Sequence, residues 1–179
     1  RCMNNENIGI EKISYYLPKD TITSKELSDN YGYNQEFIEE KVGVKTLFIE
    51  KSLSTTDMAM DALESLLTGR EYLRNKIELL VVCTQTPEYQ LPQTSSQVQH
   101  RCGLSSSIVS FDLNLGCSGY IYGLGLAKGL IETGQARNVM FVTSDTYSKY
   151  IHPKDKSVRT IFGDAATVTV ISAENEHDD

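Results

Sequence analysis

Apolar runs and helical patterns alternate along the chain. Five short stretches, at residues 8–15, 78–84, 108–113, 138–143 and 166–172, are rich in Val, Ile, Leu and Phe and read as strands. The second carries Leu79-Leu80-Val81-Val82-Cys83 without a polar break, as expected of a strand buried on both faces. The segments between them have helical ends. Thr23 with Glu26, and Ser54 with Asp57, have capping-box spacing, in which hydroxyl and carboxylate satisfy amides left over at a helix start. After Ser54, apolar Met58, Ala59, Ala62, Leu63, Leu66 and Leu67 recur at helical spacing. Asn34 opens a short helix that stops at Gly43, and 93–102 makes another, ended by Gly103 where helices commonly turn left-handed. Strands alternating with helices predict an α/β domain.

The stretch 118–133 departs from the amphipathic pattern. It holds Ile121, Leu124, Leu126, Ala127, Leu130 and Ile131 but only two charges, Lys128 and Glu132. A helix apolar nearly all round is expected to be buried. Gly119, Gly123, Gly125 and Gly129 lower its intrinsic helicity, and small residues four apart let another backbone pack closely. A crowded central position is the expectation.

Composition narrows the functional classes. The net charge of −7 argues against nucleic acid, whose phosphates require a basic surface. No segment approaches the roughly 20 apolar residues that span a bilayer. The polar start has no apolar secretory core. Cysteines at 2, 83, 102 and 117 form no Cys-x-x-Cys pair, so no metal site is expected. Three of them sit in or beside apolar segments, as reduced thiols do, and the expected location is cytoplasmic.

The candidate chemistry lies at Phe111-Asp112-Leu113-Asn114-Leu115-Gly116-Cys117-Ser118-Gly119-Tyr120. A buried strand ends, a glycine turn follows, and Cys117 stands where a buried helix begins. A helix amino terminus offers partial positive charge and free amides, which favour a thiolate and can hold an oxyanion. On these residues alone a packed structural cysteine remains the alternative. Cys83, inside a strand, and Cys102, near a helix end, are expected to be core. Lys149, Lys154, Lys156 and Arg159 form a basic loop, which solvation alone would explain.

Leu115 to Tyr120 resembles the Ala-Cys-Ala-Gly-Phe element around the active cysteine of the β-ketoacyl-acyl-carrier-protein synthase III family. Further matches are collinear. Glu40-Lys41-Val42-Gly43-Val44-Lys45 is similar to a Thr-Gly-Ile segment of that family, and Thr56-Asp57-Met58-Ala59 to the helix start that follows. His152-Pro153-Lys154-Asp155 is similar to its Asp-Pro-x-Asp loop, and Ile161-Phe162-Gly163-Asp164-Ala165-Ala166 to its Phe-Gly-Asp-Gly-Ala strand start. The resemblance runs from about residue 8 to 173.

It implies a thiolase-like fold of which this chain is the amino-terminal half: a five-stranded mixed sheet with helices on both faces, in strand order 3-2-1-4-5 with the last strand antiparallel. The expected boundaries are a tail at 1–7 (disordered or left over from cloning), the half-domain at 8–174 and an acidic tail at 175–179. The resemblance also implies acyl transfer to Cys117, whose backbone amide is one oxyanion donor, followed by decarboxylating condensation with malonyl-acyl-carrier protein. The His and Asn that complete this chemistry belong to the absent carboxy-terminal half; His100, His152 and His177 match neither and are expected at the surface. No cofactor is held tightly, and acyl-coenzyme A or acyl-acyl-carrier protein is the substrate. Phe37, Lys41 and Lys156 occupy coenzyme A contact positions. Leu91 stands where a side chain enters the partner's acyl pocket in a homodimer joined through strand 108–113. The competing readings are a non-catalytic half-domain scaffold and an acyltransferase that makes esters or amides.

Overall fold

A computed structural model describes residues 7–152, 154, 155 and 157–174. All five expected strands form and share one sheet: β1 (Asn7–Tyr16), β4 (Leu79–Cys83), β5 (Val109–Leu113), β6 (Asn138–Asp145) and β7 (Ala165–Glu174). A separate antiparallel pair, β2 (Thr21–Thr23) and β3 (Thr46–Phe48), has no counterpart among the expected strands. Three residues are too few to display a period.

The sheet order is β1-β7-β6-β4-β5. β7 is antiparallel to both its neighbours, and β4 pairs in parallel with β5 and β6. The antiparallel last strand was expected, but the order 3-2-1-4-5 was not obtained: the first strand lies at an edge, and the last strand lies inside. The side chains of β1 give the reason. It carries charged, exposed Glu11 and Lys12 at a register shift between Ile10 and Lys12, features that blunt an edge and that a central strand could not bury. Asn7 already pairs with Glu174, so the first strand starts one residue earlier than expected.

Helices cover both faces. On one side α3 (Thr55–Leu67) and α5 (Thr94–Cys102) close over Leu80, Val82, Met140, Val142, Val168 and Val170, all buried. The Ser54–Asp57 capping box forms as expected, and Asp57 also accepts Arg101 Nη2 at 2.8 Å, linking α3 to α5. Helix α5 has no local side-chain cap. Asp112 of β5 supplies one from outside, accepting the amides of Thr94 and Ser95 at 2.8 and 2.7 Å, a good use of carboxylate at a helix start. Gly103 is left-handed, as expected.

On the other side α6 (Gly119–Glu132) packs on Val81, Cys83, Val139, Phe141 and Ile171. It is not buried all round. Only the stripe Gly119, Gly123, Ala127 and Ile131 is buried, while Ile121 and Tyr122 are 70% and 65% exposed. The stripe explains two of the glycines. A Cβ at Gly119 would lie 2.5 Å from Cys83 Sγ, and one at Gly123 would lie 2.1 Å from Phe141 Cζ. The helix backbone therefore rests directly on β4 and β6. At Gly125 and Gly129 a Cβ would meet nothing.

Candidate active site

The parallel strands and α6 together fix where Cys117 stands. β5 ends at Leu113, the chain turns through Gly116, and Cys117 immediately precedes Ser118, the N-cap of α6. The turn closes with Gly119 N–H donating to Gly116 O at 2.7 Å. Ser118 makes no side-chain cap, and Cys117 N–H takes no partner among the described residues. Cys117 is exposed and free. It lines an open cleft of about 360 Å³ with Cys83, Tyr120, Thr143, Asp145, Tyr147 and Phe162.

Several groups here are electrostatically unusual. Asp145 Oδ1 accepts four hydrogen bonds: from the amides of Gln85 (2.8 Å) and Thr86 (3.0 Å), and from the hydroxyls of Thr84 (3.1 Å) and Thr86 (2.8 Å). Burial nevertheless pushes its carboxyl above the ordinary value, outweighing those donors. Burial also raises the Cys83 thiol, whose Sγ donates to Leu115 O at 3.3 Å. Tyr147 is raised by burial first, then by the nearby Asp145, Cys117 and Cys83. Its ring lies 4.8 Å from that of Phe162, and its hydroxyl donates to Gln85 Oε1. A thiol, a carboxyl and a phenol whose titrations burial displaces, gathered in the cleft of the exposed Cys117, are the kind of cluster that active sites collect.

Known proteins are similar to this chain in sequence and in fold. The family model for 3-oxoacyl-[acyl-carrier-protein] synthase III matches residues 111–179, which include Cys117. A β-ketoacyl-acyl-carrier-protein synthase III from Caldanaerobacter subterraneus subsp. tengcongensis is 34% identical over 164 residues, 91% of this chain and 49% of its own length. A 3-oxoacyl-acyl-carrier-protein synthase III crystal structure superposes with a TM-score of 0.88 at 41% identity, covering 95% of this chain and 51% of that one. The Aquifex aeolicus synthase III gives 0.89 at 28% identity, covering 95% and 55%.

Along nearly its whole length the chain is similar to the 3-oxoacyl-acyl-carrier-protein synthase III family.

It spans about half the length of the curated relatives it matches, and its five-stranded mixed sheet with helices on both faces is one half of a thiolase-like fold. Of the synthase-like site residues anticipated from sequence, only Cys117 lies in the cleft among the described residues. Phe37 ends the short helix α2 (Gln35–Phe37) and is 56% exposed; Lys41 is exposed in the wider π turn Ile38–Val42 that follows. Neither lines the cleft, and neither does Leu91, 84% exposed in the loop after β4. Lys156 and His177 fall outside the described residues. The basic loop does not act as one solvated cluster. Arg159 is buried with Nη1 on Ser148 O at 3.4 Å, and Lys149 Nζ donates to Leu53 O. His100 and His152 are exposed.

Asp145, Tyr147 and Cys83 went unrecognised as site residues in the sequence. The first two lie just where β6 ends, at the carboxyl end of a parallel strand, which is where α/β folds collect ligand groups. Cys83 was expected to be core and is buried, yet its thiol also faces the cleft. The alternation of β4 places residues 79, 81 and 83 on the α6 side, and that parity was available in the sequence. No described helix is long and apolar enough to cross a membrane.

Proposed function

We propose that the parent protein is a 3-oxoacyl-acyl-carrier-protein synthase III acting through Cys117. Cys117 Sγ attacks the carbonyl of an acyl thioester; the new S–C bond forms, the old one breaks, and the carrier leaves as its thiol. Malonyl-acyl-carrier protein then loses carbon dioxide, the resulting carbanion attacks the acyl carbon, and Cys117 is released as thiolate. The acyl-enzyme divides one difficult carbon–carbon bond formation into two steps. The carrying observation is the exposed Cys117 in an open cleft, just ahead of the N-cap of α6, with its own N–H without a partner among the described residues. An amide so placed stabilises a developing oxyanion. No histidine lines the cleft among the described residues, so the proton-handling His and Asn implied by the family are assigned to the other half of the parent protein.

The exposed side of α6 supports that assignment. Ile121 and Tyr122 project outward, and Gly125 and Gly129 leave room for a second backbone. The 8–174 segment is accordingly proposed to be a half-domain that packs there on its carboxy-terminal counterpart. A homodimer through β5 is also proposed. Both β1 and β5 are sheet edges, but β1 is blunted by Glu11, Lys12 and a register shift. β5 exposes Val109, and its only charge, Asp112, is committed to α5. Leu91 is proposed as a contact across that interface.

Phe37, Lys41 and Lys156 are proposed coenzyme A contacts, weaker than the tryptophan and two arginines that the family resemblance implies at these positions. Phenylalanine offers a smaller face, and lysine lacks the planar fork. Glu36, Glu39 and Glu40, neighbours of Phe37 and Lys41 in the chain, further disfavour phosphate. The carrier protein is then the better primer donor.

The test gives the parent protein an acyl thioester and malonyl-acyl-carrier protein. Formation of 3-oxoacyl-acyl-carrier protein with carbon dioxide release is expected, with a loss of at least about a thousandfold in Cys117→Ala. An ester or amide product without a new carbon–carbon bond would contradict it.

A further inference from the structure

We propose that the acyl group accepted by Cys117 carries a neutral hydrogen-bonding oxygen, as in a hydroxyacyl thioester, and that Tyr147 is the residue selecting it. The inference rests on the acyl-transfer reading and names the substrate class of that same site.

The α6 face of the sheet changes character along its strands. Toward the far end it is Leu79, Val81, Val139, Phe141 and Ile171. Toward Cys117 the same face carries hydroxyls. Thr143 Oγ1 and Thr167 Oγ1 pair across β6 and β7 at 2.6 Å, and Tyr120 OH meets Thr169 Oγ1 at 3.2 Å. Tyr147 adds a phenol above them. Its proton goes to Gln85 Oε1, so the phenol oxygen keeps its acceptor capacity. Gln85 in turn lies against the nucleophile's turn: a Cβ on Gly116 would sit 2.7 Å from Gln85 Oε1. Gln85 Nε2 has no partner among the described residues. An acceptor lone pair and a free amide donor thus flank the residue that precedes Cys117.

A pocket built for a plain alkyl chain is lined by apolar groups. Leu115, Ile161 and Phe162 line this cleft too, but an alkyl chain lying against Tyr147 would strip water from its phenol oxygen and return no hydrogen bond. A hydroxyl on the acyl group returns one. Sites that hydrogen-bond a substrate group reject the analogue lacking it far more strongly than apolar pockets reject an added hydroxyl. The Asp145 carboxylate, also lining the cleft, opposes an acyl group bearing its own negative charge.

The test uses the full-length parent protein and a matched pair, 3-hydroxybutyryl and butyryl, presented on coenzyme A and in parallel on acyl carrier protein. The rate of adduct formation at Cys117 is read by peptide mass. The hydroxyacyl form is expected to react about tenfold faster, equivalent to about 1.4 kcal/mol. In Tyr147→Phe, which keeps the ring beside Phe162 and removes only the oxygen, the ratio is expected to fall towards one. Equal or faster acylation by butyryl in the wild-type protein would overturn the inference while leaving acyl transfer intact. So would an unchanged ratio in Tyr147→Phe. Absence of any Cys117 adduct from all four donors would overturn the acyl-transfer reading and this inference with it.

Discussion

On its α3 side the central sheet is closed. Met58, Ala59, Ala62 and Leu63 of α3 are fully buried against Leu80, Val82, Met140 and Val142. On its α6 side the sheet is covered by one helix through a single stripe, and the strand ends beside it carry Thr143, Asp145, Tyr147 and Cys83 in place of aliphatic side chains. The polar network at the closed side is tied down: Ser144 Oγ donates to Thr55 O at 2.7 Å, and Thr55 Oγ1 donates to Thr86 O at 2.6 Å. On the open side Cys117 and its amide remain available. One sheet therefore spends one face on stability and leaves the other for chemistry and for a packing partner. The alternation of successive residues along β4 and β6 makes this division possible.

The sharpest way to break this comparison is to remove equal bulk from each face. Leu63→Ala on the closed side is expected to lower the unfolding free energy by about 3 kcal/mol, since the cavity cannot collapse among close-packed neighbours. Ile121→Ala, on the open side of α6, is expected to change that of this chain alone by less than about 0.5 kcal/mol. Urea titration of both variants checks the pair, and comparable losses would mean that the α6 side is not open.

Glycines in α6 give a second contrast. Gly123→Ala places a methyl within 2.1 Å of the Phe141 ring and is expected to cost about 2 kcal/mol, as overpacking does. Gly125→Ala, with nothing near its Cβ, is expected to stabilise this chain by up to about 1 kcal/mol through helix propensity. In the parent protein the same change is expected to destabilise if the second half packs there as proposed. Thermal melts of chain and parent supply the two signs.

Asp145→Ala removes the acceptor shared by Thr84, Gln85 and Thr86 and is expected to cost about 2 kcal/mol. Asp145→Asn keeps an acceptor oxygen and should cost less than half of that.

The smallest effect is a pair of opposite pH dependences. Asp145 is raised in the fold by burial. Its ionisation favours the unfolded chain, so its contribution is present below about pH 4 and is lost as pH rises through the folded pKa. Glu50 is also pushed up by burial. The amides of Leu53 and Ser52 and the hydroxyls of Ser52 and Tyr16 outweigh this and hold it below its ordinary value. Its contribution is present above that value and is lost as pH falls through the folded pKa. Relative to wild type, Asp145→Asn should therefore gain stability with rising pH and Glu50→Gln should lose it, as pH-dependent denaturation would reveal.

What was legible in the sequence follows the reach of each signal. Five strands, two capping boxes and the position of Cys117 are local patterns, and the structure places each within a few residues of its expected position. Strand order is a non-local property. The expected order put β1 at the centre, although Glu11 and Lys12 argued for an edge. The apolar circumference of α6 gave the expectation of complete burial, because sequence records what a helix can bury and not what this chain supplies to bury it. Asp145 and Tyr147 form no motif, and their role depends on β4, β6 and the Cys117 turn meeting in space.

The central claim is that Cys117, and not another thiol, receives the acyl group. The parent protein is incubated with a reactive acyl thioester, digested and mapped by peptide mass. The adduct is expected on Cys117, with Cys83 held back by burial and its raised pKa and Cys102 buried in the closed core. An adduct confined to Cys83 or Cys102, with Cys117 unmodified, would contradict the account.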